Sequence, residues 1–122
     1  MEKLIRLALV SGGKLDIVTI PDNMTTIRKY IGSDSLEMPT REIKGRKLIF
    51  VSDGVALMKP MPVFNVIDDL EREGIAGNIL IGGIHHKSSL EDDTDIRSLT
   101  DEEVSIIKSS FYKGKVHFDW HY

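Results

Sequence analysis

A chain of 122 residues, 41% hydrophobic and 29% charged, has the length of one domain and an ordinary globular composition. Cysteine is absent, which excludes disulfides, iron–sulfur clusters, cysteine nucleophiles and thiolate zinc sites. Residues 1–61 hold 10 basic and 7 acidic side chains, whereas residues 62–122 hold 6 and 12. That asymmetry admits two solvated surfaces of opposite sign, a basic pocket for an anion, or head-to-tail pairing of subunits. No run approaches the roughly 20 apolar residues of a membrane-spanning helix. Arg6 interrupts the apolar start and no cleavage pattern follows, so no signal peptide is read and a cytoplasmic location is expected.

In chain order, Leu4 to Val10 and Leu15 to Ile20 read as a β-hairpin closed by Ser11-Gly12-Gly13-Lys14. Pro21-Asp22-Asn23 offers a cap for a short helix with Met24, Ile27, Tyr30 and Ile31 at helical spacing, ended by Gly32. Leu36 to Ile43 reads as a strand in which Pro39 demands an edge or a bulge. Lys47 to Val51 and Val55 to Met58 continue a meander around the Ser52-Asp53-Gly54 turn. Pro60 and Pro62 impose an extended segment. Val66, Ile67 and Leu70 suggest a helix over 63–73, and Ile75 to Ile84 a strand rich in glycine. His85 to Arg97 is a polar, acidic loop. Thr100 and Glu103 spell a capping box, with Leu99 placed to staple onto Val104, and Val104, Ile107 and Phe111 carry the helix's buried face. Val116 to Tyr122 alternates as a strand. The expected fold is α+β in a single domain: a largely antiparallel sheet of five or six strands with two or three helices packed on it.

The chemistry is sparse. Ser11-Gly12-Gly13-Lys14 lacks the spacing of a phosphate-binding P-loop and precedes a strand. Gly77, Gly82 and Gly83 suit a close approach of backbone or ligand to the sheet, or mark a bulge. His117, Asp119 and His121 would share one face of the last strand in a metal-ligand spacing, opposite Val116, Phe118, Trp120 and Tyr122. The run Glu91, Asp92, Asp93, Asp95 lacks the glycine and distal glutamate of a calcium loop. No metal or other cofactor is expected. No nucleophile sits beside a recognisable base, so the chain reads as a binder rather than an enzyme. Binding residues are sought among Arg28, Arg41, Lys59 and Arg97, which suit phosphate, with Tyr30 and Phe64 for stacking and Asn65 for a base edge. Of these, Arg28, Tyr30, Phe64, Asn65 and Arg97 are the expected ligand-binding residues.

Over residues 5 to 107 the order of short motifs resembles a phage- and mobile-element-borne family described as a domain of unknown function. The matching pieces are the first hairpin, Tyr30-Ile31-Gly32, the Asp53-Gly54 turn, and Met61-Pro62-Val63-Phe64-Asn65. They continue with Ile75 through Gly83 and Ser98-Leu99-Thr100-Asp101-Glu102-Glu103. Ser33 departs from that pattern, which has a second glycine there, and the aromatic C-terminal strand has no counterpart. In size and α+β make-up the chain is also similar to phage Thoeris anti-defence proteins. Those likenesses imply a homo-oligomeric counter-defence protein that sequesters a nucleotide-derived signal, cyclic ADP-ribose-like or a cyclic nucleotide, without cleaving it. The C-terminal strand is expected to contribute to the oligomer. The alternatives are an accessory protein that masks a basic host surface with its acidic half, and a nucleic-acid-binding regulator acting through Arg41 to Lys47.

Overall fold

Among the described residues, three two-residue turns organise the strands. Gly12-Gly13, Lys44-Gly45 and Lys113-Gly114 have positive φ at both positions, from 50° at Lys44 to 82° at Gly45. This is the signature of the type I′ turn, whose twist matches that of the strands it joins. A computed structural model describes residues 3–54, 64–68, 70, 74–84 and 96–119. Along the chain these form β1 (Leu4–Ser11), β2 (Lys14–Pro21), α1 (Met24–Ile31), β3 (Leu36–Glu37), β4 (Thr40–Ile43) and β5 (Arg46–Asp53). They continue with β6 (Phe64–Asp68), β7 (Gly74–Ala76), β8 (Ile79–Ile84), β9 (Ile96–Arg97), α2 (Asp101–Ser109), β10 (Phe111–Tyr112) and β11 (Lys115–Phe118).

The larger sheet has the order β2-β1-β8-β5-β3, with β4 also on β5 and β9 on β8. β3 and β4 share one register against β5, Leu36 facing Asp53 and Thr40 facing Ile49. Between them the Phe50 N–H still donates to the Pro39 carbonyl at 2.8 Å. Pro39 has no N–H to return, a loss that an outer strand tolerates. The smaller sheet, β10-β11-β6-β7, contains a parallel pair, β11 with β6. The fold is thus α+β and mostly antiparallel; among the described residues it has two helices and its strands are divided between two sheets.

Period-two alternation buries both faces of the larger sheet. Ala8, Val10, Leu48, Phe50, Ile79 and Ile81 point into one core with Val66, Val116 and Phe118 of the smaller sheet and Ile107 of α2. Leu7, Ile49, Val51 and Leu80 point into a second core beneath Ile27 and Ile31 of α1, which Ile96 completes. α1 therefore lies on one side of the sheet, and α2 and the smaller sheet on the other.

Four expectations need correction or relocation. The helix expected over 63–73 is strand β6 at 64–68. Val66 is fully buried and Asn65 and Asp68 are nearly or wholly so. A strand buried on both faces shows no alternation, and its apolar residues imitate helical spacing. The strand expected from Ile75 to Ile84 breaks at Gly77, whose φ of 83° sends β7 to the smaller sheet and β8 to the larger. α2 ends at Ser109, and Phe111 opens β10 rather than extending the helix. Ile96 and Arg97, expected in a loop, form β9. The expected strand over 55–58, the extended segment around Pro60 and Pro62, the acidic loop from 85 to 95, and Trp120, His121 and Tyr122 lie outside the described residues. Among those described, no helix is long and apolar enough to cross a membrane.

Candidate functional site

α1 begins where the Asn23 side chain accepts a hydrogen bond from the Thr26 N–H at 2.8 Å. Ile27 and Ile31 face the core, which leaves Thr25, Arg28 and Lys29 on the outer side. Arg28 and Lys29 occupy the last turn, where the helix dipole favours cations. Gly32 adopts the left-handed conformation at φ 81° and donates its N–H to the Arg28 carbonyl at 2.7 Å, turning the chain sharply. The turn folds Ser33 and Asp34 back beside the helix. Thr25, Arg28, Lys29, Gly32, Ser33 and Asp34 enclose an open cleft of about 400 Å³, within the size range of small-ligand sites. Arg28 is half-buried; its Nε is shielded from solvent and has no hydrogen-bond partner. Neither Arg28 nor Lys29 forms an ion pair among the described residues. Two cations, two hydroxyls and one carboxylate can together hold a phosphate and a neighbouring hydroxyl-bearing group.

Of the other candidates, Tyr30 is on the same helix but outside this lining, and its carbonyl accepts from the Asn78 amide at 3.1 Å. Asn65 sits at the irregularity where the pairing of β6 with β7 shifts register. It is 2% exposed and its amide donates to the Gly77 carbonyl. Phe64 is the first residue of β6, and its side chain lies outside the described residues, as does Lys59. Arg97 belongs to the α2 side of the larger sheet, opposite α1. The structure therefore does not assemble the five into one site: Arg28 lines a cleft, while Asn65 and Arg97 serve the fold.

Arg97 is held by a buried acid. Its two terminal nitrogens donate to the two carboxylate oxygens of Glu103 at 3.0 and 2.8 Å, and to the Ser98 carbonyl at 2.7 Å. The guanidinium crosses Gly83 so closely that a Cβ there would meet Cζ at 2.4 Å. Gly82 makes equal room for Ile96 and Leu7. The glycine pair that suggested close approach thus admits β9. Glu103 is 1% exposed and completes the capping box of α2, its carboxylate accepting from the Thr100 N–H at 2.9 Å. Arg46 stands 3.4 Å away. Burial pushes the Glu103 carboxyl up, but the Arg97 and Thr100 hydrogen bonds and the charges of Arg97 and Arg46 outweigh it. Its pKa lies below the usual glutamate value. The hydrogen bond to Glu103 raises the Arg97 pKa against the opposing effect of burial.

Three cations of the stretch from Arg41 to Lys47 are also engaged internally. Arg46 contacts Glu102 at 3.0 Å, Lys44 donates to Ser109 at 2.6 Å, and Arg41 lies 5.6 Å from the Phe118 ring centre. With Arg6 on Asp101 at 2.9 Å, cations of the first half meet anions of the second inside one chain. The His117 ring lies tilted beside Tyr112 with centres 5.9 Å apart, and Asp119 accepts from the Gly45 N–H at 3.1 Å. Among the described residues no three acidic or histidine side chains converge on a metal position. The lining residues Thr25, Lys29, Ser33 and Asp34 were not foreseen, although Thr25-Thr26-Ile27-Arg28-Lys29 preceding Gly32-Ser33-Asp34 carried their polarity. No protein-family model, curated protein or solved structure matches this chain.

Proposed function

We propose that this chain is a binding protein rather than an enzyme, and that the α1 cleft takes a small phosphate-bearing ligand of nucleotide type. The observation that carries this reading is the placing of Arg28 and Lys29, neither of them in an ion pair among the described residues, side by side on the same cleft. A phosphate satisfies both cations, and the guanidinium offers it parallel donors. Asp34 and the hydroxyls of Thr25 and Ser33 suit the hydroxyls of a ribose. Among the described residues that line the cleft there is no histidine to activate a hydroxyl or a water against the ligand. Holding a ligand intact is the behaviour of a signal-sequestering counter-defence protein, the role implied by the resemblance noted above.

Calorimetry with inorganic phosphate, ADP-ribose, cyclic ADP-ribose and cyclic dinucleotides tests the proposal. Arg28→Ala is expected to weaken binding more than about ten-fold, because a hydrogen bond to a charged group contributes about 1.5–3 kcal/mol. Arg28 points away from the core, so the variant keeps the wild-type unfolding midpoint. Silence across the panel, or unchanged affinity in Arg28→Ala, rejects the site.

A further inference from the structure

The two outer edges of the larger sheet are finished differently. On the β3–β4 side, Pro39 interrupts the ladder and the Asp119 N–H donates to the Glu42 carbonyl at 2.6 Å. Both devices blunt an edge. β2, at the opposite edge, has eight residues, carries its one proline at the last position, and pairs only with β1 among the described residues.

The two-residue turn decides which groups of β2 face outward. Ser11 and Lys14 flank the turn and form the first hydrogen-bonded pair, so Lys14, Asp16, Val18 and Ile20 direct their backbone groups toward β1. The same alternation makes Arg6 of β1 face away from β2, and it does: its N–H meets Ser98 and its carbonyl meets Leu99. Leu15, Ile17 and Thr19 therefore aim N–H and C=O outward. Leu15, Ile17 and Val18 are only half-buried.

We propose that this edge pairs antiparallel with β2 of a second copy, joining two large sheets across a two-fold axis at Ile17. The sequence selects both the occupant and the register. With Ile17 opposite its own counterpart, Leu15 faces Thr19 of the second copy, and outward donors meet outward acceptors. Asp16 then faces Val18, Lys14 faces Ile20, and no like charges stand opposite one another. A shift one way places Asp16 against Asp16. A shift the other way places Leu15 against Pro21, which has no N–H to give. The Leu15–Ile17–Thr19 rows of the two copies also meet on one face, covering apolar side chains that a lone chain leaves half-exposed.

Sedimentation velocity of the full chain up to about 100 μM is expected to show a dimer. Amide exchange at Leu15, Ile17 and Thr19 should slow as protein concentration rises. Thr19→Pro removes an outward N–H at an exposed edge position and should weaken dimerisation more than about ten-fold. Thr19→Val, which keeps the N–H, should dimerise like the wild type. A monomer across this range overturns the proposal. So does association that survives Thr19→Pro in a folded chain, or that leaves those three amides unprotected. If Thr19→Pro fails to fold, the concentration dependence of the three amides decides alone.

Discussion

Gly83 and Arg97 share a space too small for one more carbon atom. Adding the Cβ of Gly83→Ala would push aside the guanidinium that lies 2.4 Å from its position and loosen its hold on Glu103, whose other ionic partner is Arg46 at 3.4 Å. Breaking a buried ion pair by removing one member typically costs about 3–5 kcal/mol. Gly83→Ala keeps both members and shifts only the flexible end of Arg97, so it is expected to cost less, about 1–2 kcal/mol in urea denaturation; a loss near zero would show that Arg97 moves without releasing Glu103. The same pair sets a pH dependence. Because the folded-state pKa of Glu103 is depressed, its contribution is fully present above the unfolded value of about 4.3 and disappears as pH falls through the folded one. In Arg97→Leu the burial of Glu103 loses its main opponent and the carboxyl moves up. That variant should therefore be most impaired near neutrality, and the gap to wild type should narrow at pH 4. Urea midpoints at the two pH values check the sign, and a gap that widens on acidification contradicts it.

At the scale of elements, two of the three tight turns carry a lysine in left-handed backbone, Lys44 at φ 50° and Lys113 at φ 54°. An L-residue other than glycine, asparagine or aspartate is strained there by about 1–2 kcal/mol. Lys113→Asn creates the Asn-Gly pair that type I′ turns prefer. Its expected effect is a gain of about 0.5–1 kcal/mol, read from the thermal midpoint, partly offset by the loss of the Lys113 ammonium contact 5.2 Å from the Tyr112 ring. A fall in midpoint would mean that this contact outweighs the backbone. Elements with such local chemistry were legible in the sequence. Gly12-Gly13 marked the first hairpin, Asn23 and Gly32 bracketed α1, and Thr100 with Glu103 opened α2, because each signal acts within four residues. β6 imitates a helix because its environment is set by strands distant in sequence: β11 pairs beside it and the larger sheet covers Val66. The site was half legible for the same reason. Arg28 could be recognised as a surface cation, but Arg97 shows its role only once Gly83 and Glu103 are brought against it.

For the molecule as a whole, β11 is central rather than peripheral. It lies between β10 and β6, Val116 and Phe118 are fully buried, and the Phe118 ring meets Phe50 edge-on with centres 6.3 Å apart. The aromatic row expected to serve an oligomer thus gives its Phe118 to the core of its own chain. Removing residues 115–122 should abolish cooperative unfolding, and Phe118→Ala alone should cost about 3–5 kcal/mol by thermal or urea denaturation. A truncated chain that still unfolds cooperatively would show the smaller sheet to be dispensable. The topology also has a consequence in time. β1 meets β2 across two residues, but its other neighbours come late: Leu9 pairs with Leu80, and the Arg6 N–H waits for Ser98, 92 residues further on. At synthesis rates of about 5–20 residues per second, the newborn hairpin spends seconds with one flank bare before the strand that fills the middle of the sheet leaves the ribosome. During that interval the nascent chain, rather than the finished protein, is the species in need of a chaperone.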